Sequence, residues 1–71
     1  MTDEQLMAQS LYDRVYCRLP TIISELGKHN IARDLAIWDC CTVLSVVREI
    51  DDTDDLVEFW VRVEQEVRNI K

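Results

Sequence analysis

Residues 36–70 read AIWDCCTVLSVVREIDDTDDLVEFWVRVEQEVRNI, and one apolar spacing is written in them twice. Ala36, Cys40, Val43, Val47 and Ile50 step by 4, 3, 4 and 3 residues; Leu56, Trp60, Val63, Val67 and Ile70 repeat those steps beyond Asp51-Asp52-Thr53-Asp54-Asp55. Steps of three and four residues keep side chains on one face of an α-helix. Two helices, about 31–50 and 53–70, are therefore expected to form an antiparallel hairpin with facing apolar seams. The carboxylate run marks the bend. Asp52 or Thr53 is expected to cap the second helix, with Asp54 and Asp55 in its first turn, where the positive end of the helix dipole favours them.

Working back towards the N-terminus, Thr2 followed three residues later by Gln5 reads as a capping box. It opens a helix expected over about 3–19, whose apolar face is Ala8, Leu11, Tyr12, Val15 and Leu19, with Met7 alongside. Pro20 lacks the N–H that an unbroken helix needs, so a separate short helix is expected over about 20–26, ended by Gly27 in a left-handed cap. Leu19, Ile22, Ile23 and Leu26 would then close one end of the core. Lys28-His29 would make the next turn, and Asn30 would cap the helix after it. Between Leu35 and Val47 that helix is apolar almost all round, which marks it as the central one. The fold expected is all-α: a hairpin completed by an N-terminal helix and a short helix into a small three- to four-helix bundle, in a single domain over 1–71.

Seventy-one residues bury only roughly 60% of the unfolded surface, so a lone domain of this size is marginal without a partner or a cross-link. Fourteen acidic against eight basic residues give a formal charge of −6. That balance opposes direct binding to nucleic acid, whose affinity rests on Lys and Arg, and disfavours anionic membrane surfaces. A basic protein surface is the better match. No apolar run approaches the roughly 18 to 20 residues that span a bilayer, and the first residues are acidic where a secretory signal is basic; a cytoplasmic protein is expected. The three cysteines (Cys17, Cys40 and Cys41) have no paired spacing and read as reduced thiols.

The acidic cluster suggests calcium, but a calcium loop starting at Asp51 wants glycine at its sixth position and glutamate at its twelfth, where the chain has Leu56 and Arg62. Cys17, His29, Cys40 and Cys41 lack the paired spacing of a zinc site. No thiol has a base and an orienting group beside it in sequence, and no Gly-rich phosphate cradle is present. No enzyme activity, metal or cofactor is expected.

Aromatic residues carry the remaining signal. Trp60 lies on the seam and reads as core. Ile31, Leu35, Trp38 and Val46 lie off it and form a second apolar stripe with two readings: contact with the N-terminal helix, or an exposed patch buried in a dimer or a partner. The function expected is a small acidic protein–protein interaction module, an adaptor, chaperone-like partner or inhibitor, that binds and occludes another protein. Self-association as a homodimer is expected too. Trp38, Val46, Phe59 and Val61 are the candidate anchors, and Asp51, Asp52, Asp54, Asp55 and Glu58 the steering rim. The alternative is an acidic nucleic-acid mimic, such as a mobile-element-encoded inhibitor, that blocks a DNA- or RNA-binding protein.

Overall fold

A computed structural model describes residues 1–50 and 54–71. They form three α-helices: α1 (Asp3–Tyr16), α2 (Glu25–Ile50) and α3 (Asp54–Arg68). Each helix packs on the other two in a small bundle, and no strand occurs among the described residues.

The capping box forms as expected. The Gln5 N–H donates to Thr2 Oγ1 at 3.2 Å, and the Thr2 N–H donates to Gln5 Oε1 at 3.0 Å. The far end of α1 differs from expectation, because the helix stops at Tyr16 rather than near Leu19. The residue before a proline is driven out of the helical region, and the chain tightens ahead of it. Arg18 N–H bonds back to Val15 O and Leu19 N–H to Tyr16 O, both three residues away.

Pro20 to Ser24 do not make the expected short helix. They form a turn closed by Ile23 N–H on Pro20 O at 3.2 Å. Helix α2 then starts six residues earlier than expected, and its cap is Ser24, not Asn30. Gly27 N–H donates to Ser24 Oγ at 3.1 Å and Lys28 N–H to Ser24 O at 2.9 Å. Gly27 is therefore inside the helix, with no positive φ, and does not end one. Its use is space: a Cβ there would meet Ile23 Cγ2 at 3.0 Å and Ser24 Oγ at 3.1 Å. Lys28 and His29 continue α2 instead of turning the chain. Without that turn Ile22 and Leu26 cannot fold over the core, and they stand 91% and 71% exposed. Helix α3 ends at Arg68, with Asn69 and Ile70 bonded back onto its last turn. The choice between Asp52 and Thr53 as its cap lies outside the described residues.

The core joins all three helices through Ala8 and Leu11 of α1, Ala36 and Cys40 of α2, and Val63 and Val67 of α3. Ile37, Phe59 and Trp60 pack against it, half-buried. Ala32 and Leu44 are buried too, so the deepest row on α2 is Ala32, Ala36, Cys40 and Leu44, a ridge of four-residue steps. Three of those four side chains are small, which lets neighbouring helices approach closely.

Helix α2 has 26 residues, about 39 Å, against about 21 Å for the 14 residues of α1. A hydrogen bond between Tyr12 and His29 ties the later part of α1 to the early turns of α2. From that anchor α1 is too short to follow α2 to its end. The far ends of the two seams are correspondingly uncovered: Ile50 is 80% exposed, Leu56 is exposed, and Val43 and Val47 are half-buried.

Candidate functional site

The core occupies one side of α2, and the side opposite faces solvent. At 100° per residue, Ile31, Leu35, Trp38, Thr42, Ser45 and Glu49 share that outer side, with Val46 at its edge. All seven are exposed, Trp38 to 69% and Val46 to 46%. Of the two readings of the second stripe, contact with α1 is therefore not what forms. Helix α1 lies on the inner side with Ala36 and Cys40, and Trp38 points away from it.

Two polar residues interrupt the stripe, and neither offers a donor outward. Thr42 Oγ1 donates to Trp38 O at 3.0 Å, and Ser45 Oγ donates to Cys41 O at 3.1 Å. Both hydroxyls are satisfied within their own helix, so covering the face strands neither of them. Sequence reading passes over this pair, although the signal is there: a hydroxyl residue in the middle of a helix is four residues from a carbonyl it can reach.

The remaining candidate residues divide between places. Phe59 is half-buried against the core, its ring edge-on to Trp60 at 5.7 Å and 88°, so it is a packing residue and not a free anchor. Burial takes it because positions 56, 59, 63, 67 and 70 drift onto one helical face together. Val61 is exposed on the outward side of α3, as are Asp54, Asp55 and Glu58. Glu58 pairs with Arg62 at 3.3 Å, both well solvated. Asp51 and Asp52 lie outside the described residues. Trp38 and Val46 thus form one patch on α2, while Val61, Asp54 and Glu58 belong to another on α3.

His29, Cys40 and Cys41 are each held by burial or by a neighbouring side chain, and Cys17 is exposed. His29, expected in an exposed turn, is half-buried in α2, where its Nδ1 shares a hydrogen bond of 2.8 Å with the Tyr12 hydroxyl. Tyr16 stacks on Tyr12 at 5.7 Å, and Lys28 Nζ sits 5.8 Å over the Tyr16 ring. Burial, with Tyr16 and Asp13 nearby, pushes the Tyr12 hydroxyl above its ordinary value. Cys40 is fully buried, and burial drives its thiol up to about 11, helped by Glu64, Cys41 and Asp39. Cys41 Sγ donates to Glu64 Oε1 at 3.0 Å, which also raises its thiol. Such thiols stay protonated near neutral pH and are poor nucleophiles. Among the described residues, no three His, Cys, Asp or Glu side chains converge on a point that could hold a metal ion. No helix of the described residues is long and apolar enough to cross a membrane. No protein-family model, curated protein or solved structure matches the chain.

Proposed function

We propose that the chain is a small acidic protein-interaction module that binds a partner protein through the outer face of α2 and occludes the surface it covers. One observation carries this reading. Trp38, a residue type concentrated at binding hot spots, stands 69% exposed in a row of apolar side chains opposite the core. Burying that row would remove apolar surface from water without leaving the Thr42 or Ser45 hydroxyl unpaired. The formal charge of −6 favours a partner with a basic surface, approached faster at low salt. The same reading takes α2 and α3 as antiparallel arms of a hairpin, with the Cys41–Glu64 contact across them in support. It places the protein in the cytoplasm, since three free thiols, two of them exposed, suit a reducing compartment. It assigns no catalysis.

Acidic mimicry of a nucleic acid is the second reading, and the exposed group Asp54, Asp55 and Glu58 at the start of α3 favours it. Against it, Arg62 and Arg68 pair with Glu58 and Glu64 and break the run of negative charge. The two readings separate in one experiment. Protein immobilised as wild type, as Trp38→Ala and as Asp54→Asn/Asp55→Asn is used to capture partners at low and moderate salt. Anchoring through α2 predicts capture that survives moderate salt and is lost with Trp38→Ala. Capture unchanged by Trp38→Ala would sink that reading, and steep loss with salt and with the Asn variant would favour mimicry.

A further inference from the structure

We infer that the occupant of the α2 outer face is a second copy of this chain, docked antiparallel about a two-fold axis at the level of Cys40. This rests on the reading of that face as an interaction surface and names what covers it.

The spacing comes first. Ile31, Leu35, Trp38, Thr42, Ser45 and Glu49 step by 4, 3, 4, 3 and 4 residues, the pattern of a seam that pairs with another helix. It is complete on α2 and lies opposite the seam already used by the core. The distribution of bulk comes second. The first three side chains are large and apolar, and the next two are small, with hydroxyls tied back to their own helix. A parallel copy would set Trp38 against Trp38 and leave Thr42 facing Thr42. An antiparallel copy sets Trp38 over Thr42 and Leu35 over Ser45, twice each, so that large meets small. Ile31 then lies along the stem of Glu49, whose carboxylate reaches water beyond it.

Charge supplies the third argument and fixes the register. Asp34, Cys41 and Arg48 are seven residues apart and share one flank of the face, all exposed. In an antiparallel pair, residues on like flanks meet across the axis. Offsets that set Trp38 over Thr42 therefore bring Asp34 of each copy to Arg48 of the other, giving two reciprocal ion pairs. Asp39, on the other flank, meets its own counterpart, an exposed like-charge contact that weakens the dimer. The face runs about 27 Å from Ile31 to Glu49. One helix pair of that length falls at the low end of specific interfaces, so the dimer is weak, in the micromolar range. A heterologous partner of the same face would have to displace the second copy.

Sedimentation equilibrium on the full chain across a concentration series tests this, with circular dichroism confirming that each variant keeps its helices. Asp34→Arg and Arg48→Asp are each expected to weaken self-association about tenfold, since each turns two attractions into repulsions. Mixed in equal amounts they are expected to recover wild-type affinity. In the mixed pair the two introduced residues, of opposite charge, face each other, and the native Arg48 of one copy faces the native Asp34 of the other. Asp39→Asn is expected to tighten the dimer. A chain that stays monomeric at every concentration overturns the proposal, while partner capture through Trp38 still stands or falls by its own test. Self-association abolished by Trp38→Ala but indifferent to both charge reversals and their mixture also overturns it, since the copies would then meet in another register.

Discussion

Removing the Cys40 thiol should change how the fold responds to alkali. Cys40 is fully buried among Ala8, Leu11, Ala36, Val63 and Val67, and its folded pKa is about 11 against an ordinary thiol value of 9.0. Between those values an unfolded chain has released a proton that the folded chain keeps. The unfolded state binds fewer protons there, so stability is fully present below about pH 9 and falls as pH rises towards 11. Two units of separation at 1.36 kcal/mol each set the ceiling, and by pH 10.5 about 2 kcal/mol should be gone. Tyr12 and Cys41, also raised, add loss in the same direction. Both remain in Cys40→Ala, so the difference between the two proteins isolates the one thiol. Urea unfolding followed by helical circular dichroism, in reductant from pH 8 to 10.5, measures it. Cys40→Ala should start about 1 kcal/mol less stable and lose ground more slowly. Stability curves that run parallel across that range would refute the buried-thiol reasoning.

Three further outcomes are expected. Val63→Ala should cost about 2 kcal/mol through the cavity it leaves in a fully buried site, whereas Trp38→Ala should change monomer stability by about 0.5 kcal/mol or less; chemical denaturation at low protein concentration distinguishes them. Tyr12→Phe removes the hydroxyl bonded to His29 and should cost about 1 kcal/mol, read from the urea midpoint. Thr2→Ala removes the hydroxyl that accepts from the Gln5 N–H, leaving only the backbone half of the capping box, and should cost about 1 kcal/mol, with faster amide exchange in the first turn of α1.

Much of this fold is legible in the sequence because periodicity is a property of burial. Ala36, Cys40, Val63 and Val67 all reach the core, and Thr2 with Gln5 starts α1 as read. The segment from Leu19 to Asn30 misleads because three punctuation signals compete within it. Pro20, Gly27 and Asn30 each argue for a boundary, yet Ser24 takes the cap, and Gly27 sits inside the helix without a positive φ, where a Cβ would crowd Ile23 and Ser24. The exposure of Ile50 and Leu56 follows from how far α1 extends, a length that a seam on α2 and α3 does not encode. For the site, the stripe of Ile31, Leu35, Trp38 and Val46 is visible from spacing alone. Which side of α2 the first helix takes is a tertiary choice. Phe59 depends on the same choice: its position serves core and surface equally until the packing decides how far it is buried.

The ridge Ala32, Ala36, Cys40 has a consequence for how this chain tolerates change. Where side chains this small are fully buried, an added methylene has little room, and a bulkier residue has to push neighbouring groups aside. Divergent versions of the protein should therefore be held together by a rule about where bulk is forbidden, while half-buried greasy positions such as Val43 and Val47 trade Val, Ile and Leu at smaller cost.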